Sequence, residues 1–178
     1  MVSWLAIVIV VMMTAGVYFG TFFYADSVDE AIISYADKTG FEDFNILAPA
    51  GLKADEIEQI KQMEGIRDLE GTWRISDSSL WFHNKDNDVT IYGLTKRLSR
   101  IDLLDGRLPE RDGECALTQH VMKENGIKLG DRVELAYWDD LPDDFMKSNS
   151  FIVTAKVNHP DSMSTSYDDL VFLAEDAF

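Results

Sequence analysis

The sequence contains a single cysteine, Cys115, which limits how its fold can be stabilised. One thiol cannot form a disulfide within the chain, so the disulfide framework of many small secreted domains is excluded. We expect Cys115 to be a small buried side chain, with a reactive thiol as the alternative. If the domain is exported, it must therefore be stabilised by packing alone.

Positive charge is scarce, with 16 lysines and arginines against 32 aspartates and glutamates and a formal net charge of -16. Such a surface repels phosphate backbones and anionic headgroups, so nucleic acid is not expected as a partner. Apolar residues make up 46% of the chain, which predicts a globular fold rather than disorder.

Nucleotide-binding and common catalytic motifs are missing. The sequence has no G-x-x-x-x-G-K-[ST] loop, so ATP hydrolysis by a P-loop mechanism is not expected. It also lacks G-x-S-x-G, H-E-x-x-H and paired C-x-x-C, the signatures of serine hydrolases, zincins and zinc ribbons. We therefore assign no catalytic, cofactor-binding or metal-binding residues and expect no enzymatic activity. An anchored enzyme of unrecognised type is the weaker alternative.

A long apolar run from Trp4 to Ala25 contains no charged residue. As a helix rising about 1.5 Å per residue it would measure roughly 33 Å, enough to cross a hydrocarbon core of about 30 Å. Acidic residues follow the run directly, and the first basic residue of the chain is Lys38. This charge bias predicts a transmembrane helix over 1–25, with residues 26–178 on the extracytoplasmic side of a cell membrane.

A cleaved signal peptide is the alternative interpretation of this run, because Tyr24-Ala25 precedes the acidic Asp26. The run is longer than the usual h-region of about 7–15 residues, it has no basic n-region, and Phe23 stands where a small residue is favoured. We therefore favour the membrane span. The missing basic residues also indicate that the chain starts inside a longer protein.

The membrane helix is predicted to continue outward as a stalk over 26–40. This segment has no proline or glycine before Gly40, which is the expected left-handed C-terminal cap. Its apolar residues recur at helical spacing, at Val28, Ala31, Ile32 and Tyr35.

Residues 41–178, about 140 residues, are predicted to form an α+β domain. Its first part has the pattern of a β-α-β unit, with a strand over 44–47, a helix over 54–64 and a strand over 66–75. A second small β-rich lobe is expected over roughly 89–160. Further predicted elements are a hairpin over 76–88, a helix over 118–126, and strands at 89–92, 132–138, 151–157 and 170–173.

The histidines and one acidic segment are candidates for metal-binding sites, and their spacing does not support that interpretation. His83, His120 and His159 lie far apart without ligand spacing, so we interpret them as surface or turn histidines. The segment 84–95 begins like a calcium loop, with Asn84, Asp86 and Asp88 at positions 1, 3 and 5. Its position 6 is Val89 and its position 12 is Thr95, where such a loop needs Gly and Glu.

Two further clusters have both a structural and a functional interpretation. The acidic residues Asp139, Asp140, Asp143 and Asp144 are expected to form a solvated loop, with a weak extracellular cation site as the alternative. An aromatic group is expected to pack in the core, with a binding patch for a peptide, lipid or partner domain as the alternative; it comprises Trp81, Phe82, Tyr137 and Trp138.

Four pieces of the sequence resemble the extracytoplasmic core domain of MacB-like and FtsX-like ABC transporter permeases. They are the uncharged span running into an acidic stalk, the piece ILAPAGLKADEIEQIKQMEGI, the YGL at 92–94, and the string LLDGRLPERDGECALTQHVMKENGIKLGDRVEL. In that family a G-R-x-P…G-E turn and a G-D-x-V turn recur in this order. The matching residues here are Gly106, Arg107, Pro109, Gly113, Glu114, Gly130, Asp131 and Val133.

The resemblance implies a porter-like lobe, a second β-rich lobe and a return of the chain to the membrane, so the sequence looks like an N-terminal fragment of a permease. It further implies a second permease copy, a cytoplasmic ABC ATPase that supplies the energy, and an extracytoplasmic protein or lipid substrate. The matched glycines are expected to serve the fold, because glycine permits positive φ at tight turns. The alternative is a single-pass anchored module that binds a ligand or a cation.

Overall fold

The computed structural model describes residues 2–48, 51–137, 145–160 and 169–178. The chain divides into two compact units, Met1–Lys38 and Thr39–Phe178. The first unit is helical and the second contains the sheet, so the predicted α+β class is confirmed. The division of the second unit into two lobes stays a prediction.

Helix α1, Val2–Thr39, is 38 residues long and continues without a break across Ala25 and Asp26. Its apolar side chains are exposed along the predicted span, as at Trp4, which is 76% exposed. Length and hydropathy make it able to cross a membrane. Gly40 follows with φ of 66°, so the predicted continuous helix and its left-handed cap are both confirmed.

Polar side chains within the apolar part of α1 form hydrogen bonds with the helix itself. The hydroxyls of Thr14 and Thr21 each donate to a backbone carbonyl oxygen four residues earlier, at 2.8 Å in both cases. Such bonds remove the cost of placing a hydroxyl in hydrocarbon, so these threonines are compatible with a membrane span.

The segment between α1 and the sheet contains helix α2, Ala54–Lys61, as predicted. The N–H of Lys53 donates to the Glu56 carboxylate at 2.8 Å and caps this helix. The strand predicted over 44–47 is wrong, because these residues have no regular structure. The strand predicted over 66–75 is also wrong over most of its length, since pairing begins only at Arg74. An apolar run becomes a strand only where a neighbouring strand is available to it.

The described residues after α2 include seven strands and a short α-helix. The strands are β1 Arg74–Phe82, β2 Lys85–Gly93, β3 Asp102–Gly106, β4 Glu114–Thr118, β5 Arg132–Tyr137, β6 Ser150–Asn158 and β7 Leu170–Leu173; helix α3, Gln119–Asn125, lies between β4 and β5. The predicted hairpin is the β1–β2 pair, whose turn residues His83 and Asn84 both have positive φ, as a tight hairpin turn requires.

In the described part of the chain, these strands form one sheet in the order β3-β6-β4-β7-β2-β1-β5. Because β5 also pairs with β6, through Arg132, Val133 and Glu134, every strand except β3 belongs to a closed ring. The pairs β2–β7 and β4–β6 are parallel, and the others are antiparallel. The sheet extends beyond the predicted 89–160 range, since β1 and β7 belong to it.

The sheet buries apolar side chains on both of its faces. One cluster includes Leu80, Ile91, Leu117 and Phe151, and a second, smaller cluster includes Tyr92, Ala155 and Phe172. Strand β6 contributes to both because its register against β4 shifts between Val153 and Ala155. This bulge turns the later part of β6 toward the second cluster.

Candidate functional site

The G-R-x-P…G-E motif folds into a buried ion pair centred on Glu114. The guanidinium of Arg107 approaches both carboxylate oxygens, with Nη2 at 2.5 Å from Oε1 and Nη1 at 2.7 Å from Oε2. Nε of Arg111 donates to Oε1 at 3.0 Å, and the N–H of Glu110 donates to Oε2 at 3.2 Å. The Glu114 side chain is only 6% exposed. All of these donors hold one carboxylate at the start of β4.

The surroundings of Glu114 stabilise its charged form. The Arg107 hydrogen bonds lower the pKa of Glu114 to about 2, although burial opposes the shift. The same pair raises the pKa of Arg107. A carboxylate that is ionised and accepts four hydrogen bonds is poorly suited to accept or donate a proton in catalysis. The motif therefore fixes the turn before β4.

The matched glycines occupy turns with positive φ, and one of them is also tightly packed. Gly106 has φ of 82°, and a Cβ there would collide with the carbonyl oxygen of Thr154. Gly130 has φ of 89°, and its N–H donates to the Val153 carbonyl oxygen at 2.8 Å. The next residue, Asp131, accepts the N–H of Lys128 at 2.8 Å. These contacts attach the turns before β4 and β5 to β6.

A loop between β2 and β3, residues 94–101, holds the chain where α1 ends, and we call it the latch loop. The N–H of Arg100 donates to the Thr39 carbonyl oxygen at 2.9 Å, and the N–H of Ser99 donates to the Gly40 carbonyl oxygen at 2.8 Å. Thr39 and Ser99 are 2% and 6% exposed. Water therefore competes little for these bonds.

Ser99 and Gly40 both adopt left-handed backbone conformations at this contact, with φ of 42° and 66°. A Cβ on Gly40 would lie 2.7 Å from the carbonyl oxygen of Arg97, closer than a side chain can approach. The Ser99 hydroxyl accepts the N–H of Glu42 at 3.3 Å. The close approach of the two backbones therefore requires glycine at position 40.

A second attachment to the latch loop comes from the residues that precede β1. The Glu70 carboxylate accepts the N–H groups of Lys96, Arg97 and Leu98 at 2.7, 2.9 and 2.8 Å. Partial burial acts to raise the pKa of Glu70, but these donors and the Arg97 charge outweigh it and lower the pKa. Arg97 also donates to the Asp68 carboxylate at 2.6 Å. The latch loop thus holds both ends of the segment 43–67.

His159 supports the latch loop from the end of β6. Its interpretation as a surface or turn histidine is wrong about the surface position, because the side chain is buried. The side chain is 4% exposed and lies against the rings of Tyr92 and Phe172, with centroids 5.8 and 5.1 Å away. Its Nε2 is 3.1 Å from the Ser99 carbonyl oxygen. A carbonyl oxygen only accepts, so Nε2 carries the proton. Sequence reasoning missed this residue because its partners lie far away in sequence.

The other two histidines are exposed. His83 lies in the β1–β2 turn, stacked on Phe82 with ring centroids 4.0 Å apart. Nε2 of His120 is 3.8 Å from a carboxylate oxygen of Asp169. Within residues 2–48, 51–137, 145–160 and 169–178, no three His, Cys, Asp or Glu side chains are grouped so as to hold a metal ion.

The segment that begins like a calcium loop is a hairpin. Asn84 is in its turn, whereas Asp86 and Asp88 are exposed residues of β2, paired across the ladder with Trp81 and Ser79. A paired strand cannot wrap its oxygens around one ion, so the first residues of the pattern do not form a binding loop. The acidic cluster Asp139, Asp140, Asp143 and Asp144 lies outside the described residues.

The predicted aromatic group is divided between the core and the surface. Phe82 is buried, and Tyr137 is half-buried with its ring 6.5 Å from that of Phe145. Trp81 is 43% exposed, and its Nε1 donates to the Ser79 hydroxyl at 3.0 Å. Trp138 lies outside the described residues. The three described members of the group do not form one exposed patch, because Phe82 is buried and Tyr137 is half-buried.

Cys115 is fully buried, and burial raises the pKa of its thiol. A buried thiol that resists ionisation is a poor nucleophile, so the expected structural role of this residue is supported. Its neighbours in the first apolar cluster are aliphatic and aromatic side chains.

No family model matches the chain, and no curated protein matches it. One similar solved structure is the extracellular domain of the noncanonic ABC-type transporter YknZ from Gram-positive bacteria, with 14% identity, a TM-score of 0.46, and coverage of 71% of this chain and 64% of that chain. Another is the periplasmic region of MacB from Actinobacillus actinomycetemcomitans, with 13% identity, a TM-score of 0.40, and coverage of 71% and 56%. The chain thus spans less than two thirds of either structure.

Proposed function

We propose that this chain is the first membrane span and the extracytoplasmic domain of an ABC transporter permease subunit. In this proposal the chain hydrolyses nothing itself. A partner ATPase on the cytoplasmic side supplies the energy, a second permease copy completes the membrane part, and the domain outside acts on an exported substrate or on an extracytoplasmic partner.

One observation carries the proposal: helix α1 continues from its apolar part into its acidic part without a break and ends at residues that are hydrogen-bonded to the sheet domain. The helix has no proline, and glycines occur only at Gly16 and Gly20, inside the apolar part. The bonds at Thr39 and Gly40 begin where it ends. An anchor for a ligand-binding module needs no such connection, because a flexible linker suffices. A stiff helix is what mechanical coupling requires.

The chemistry of the described residues supports a mechanical role over a catalytic one. The best-defined charged group is the Glu114 carboxylate, which already accepts four hydrogen bonds from Arg107, Arg111 and the Glu110 N–H. The buried thiol of Cys115 is held in its protonated form. Both groups stabilise the fold, and the energy for any work must come from a partner protein.

Co-purification from native membranes tests this proposal. The full chain, carrying an affinity tag and solubilised in mild detergent, is expected to retain an ABC ATPase, and the complex should hydrolyse ATP. The purified chain without that partner should neither bind nor hydrolyse ATP, as measured by calorimetry and phosphate release. If the chain purifies from its membrane with no ATPase, the anchored binding module replaces the transporter subunit.

A further inference from the structure

We propose that the latch loop, residues 94–101, is the contact through which a movement of helix α1 reaches the sheet. The inference rests on the proposed function, because it names the element that would transmit the movement. It concerns residues 39–42, the latch loop and His159, which all belong to the second compact unit.

Among the contacts of the described residues, we compare two routes from the end of α1 into the sheet. The first is the covalent chain from residue 41 to residue 73, which reaches β1 only after a long excursion. That excursion holds α2, none of whose residues is buried, and strongly exposed apolar residues such as Phe44 at 83% and Leu47 at 64%. A segment with so few buried contacts extends under a low force, so it transmits little force to β1.

The second route passes through the latch loop. Three hydrogen bonds join residues 39–42 to Ser99 and Arg100, and these bonds lie close together in sequence on both sides. Release of residues 39–42 from the latch loop therefore requires all three bonds to break.

His159 extends this route to the sheet. Its Nε2–H holds the carbonyl of Ser99, the same residue whose N–H holds Gly40. The histidine follows β6 directly, and β6 pairs with β3, β4 and β5. A displacement of Gly40 thus passes through Ser99 and His159 to the strand with the most neighbours among those described. We assign His159 a positioning role.

The hydrogen bonds of Glu70 to the latch loop allow an experiment to distinguish the two routes. Because Glu70 is bound to the same loop, the segment 43–67 leaves the latch loop and returns to it. As long as the latch loop stays bound to residues 39–42, force passes through the loop and not through the segment 43–67. When the loop releases residues 39–42, this segment extends and the chain lengthens.

Single-molecule force measurements on the full chain in detergent micelles test the inference. Handles are attached through cysteines introduced at Asp37 and Lys85, both exposed, while the native Cys115 is buried and does not react. We expect a first opening step with a gain in length on the order of 100 Å, from the extension of residues 41–69 while Glu70 stays bound to the latch loop. A first step that opens the sheet, without this gain, would overturn the inference.

Variants identify which contacts set the force of that step. Gly40→Ala places a methyl group against the Arg97 carbonyl, so the step should occur at clearly lower force. The matched control is Gly51→Ala, at φ of 73° with open space around the new Cβ, and it should leave the force unchanged. Equal forces for the two variants would contradict the inference.

Two milder variants keep the test valid if Gly40→Ala does not fold. Ser99→Ala removes only the hydroxyl that accepts the Glu42 N–H. His159→Phe removes the hydrogen bond to Ser99 but keeps an aromatic ring beside Tyr92 and Phe172. Each should raise the opening rate at constant force by about tenfold, the effect of losing one hydrogen bond. Unchanged rates in both would overturn the role of this route. The measurement needs no ATPase, so its outcome is independent of the co-purification result.

Discussion

The N–H of Ser99 donates to the carbonyl oxygen of Gly40 at 2.8 Å, and this bond joins the residue that caps α1 to a loop between β2 and β3. Both residues have positive φ, which lets the two backbones approach closely. For Gly40 the conformation is natural, whereas for Ser99 it costs on the order of 1 kcal/mol. The surrounding bonds of the latch loop therefore hold Ser99 in a conformation that it would not adopt alone.

Replacement of Glu114 by Gln should make the fold less stable and less sensitive to acid. The depressed pKa of Glu114 means that its stabilisation is present above its pKa in the unfolded chain and is lost as the pH falls toward about 2. We expect a loss of roughly 2 kcal/mol in the free energy of unfolding at pH 7, measured by urea denaturation in detergent, because Gln keeps an acceptor oxygen but loses the charge-assisted hydrogen bonds.

The matched control for this prediction is Glu110→Gln, because only the backbone N–H of Glu110 contacts the Glu114 carboxylate. Glu110→Gln should stay within about 0.5 kcal/mol of the native chain. The native chain should lose stability between pH 5 and pH 2 more steeply than Glu114→Gln. Parallel pH profiles for the two would contradict the account of the ion pair.

Two glycines of the matched motif should respond differently to alanine. Gly106 and Gly113 have nearly equal φ values of 82° and 78°, so the backbone cost of a side chain is similar at both, about 1 kcal/mol. Only at Gly106 would the new Cβ collide with a neighbour, the Thr154 carbonyl oxygen. Gly106→Ala should therefore cost at least about 3 kcal/mol in unfolding free energy. Equal losses of unfolding free energy for Gly106→Ala and Gly113→Ala would mean that Gly106 does not lie close to the Thr154 carbonyl oxygen.

Two phenylalanines should differ in their contribution to stability. Phe151 is fully buried in the first apolar cluster, whereas Phe44 is 83% exposed in the segment before α2. Phe151→Ala should cost about 3–5 kcal/mol, and Phe44→Ala should stay within about 0.5 kcal/mol. Denaturation of the two single variants measures both values. A large loss from Phe44→Ala would show that residues 41–52 pack against the sheet domain.

The elements that local pattern determines were predictable from the sequence. The unbroken helix α1 follows from an uncharged apolar run that continues, without Pro, into an acidic segment with apolar residues at helical spacing. Helix α3 follows from its apolar positions and from Gly126, a left-handed cap with φ of 68°. The later strands follow from alternation. The apolar run 44–47 has a strand-like composition, yet composition does not supply a pairing partner.

Contacts between distant residues were not predictable. Ser99 is a polar residue in a short turn-like stretch, and His159 is a lone histidine at the end of a strand. Neither pattern indicates burial, which arises because the rings of Tyr92 and Phe172 lie beside His159. Closure of the ring through β5 and β6 likewise depends on pairing across the chain. The Arg107–Glu114 pair was found only as a motif, without its geometry.

In the proposed function, energy released by a partner ATPase reaches the sheet domain through α1. The most direct measurement is amide hydrogen exchange of the assembled transporter in nanodiscs, with and without nucleotide, followed at Ser99 and Arg100. These N–H groups are bonded to residues 39 and 40, so a pull through α1 should speed their exchange.

The same measurement on Val28→Pro decides between coupling and simple anchoring. Proline removes one backbone hydrogen bond and kinks the helix, at a cost of about 3 kcal/mol, while Val28→Ala preserves the helix as the matched control. We predict that nucleotide speeds exchange at Ser99 and Arg100 in the native chain and in Val28→Ala, and that Val28→Pro abolishes this response while ATP hydrolysis continues. An identical response in Val28→Pro, at normal surface expression, would contradict the account.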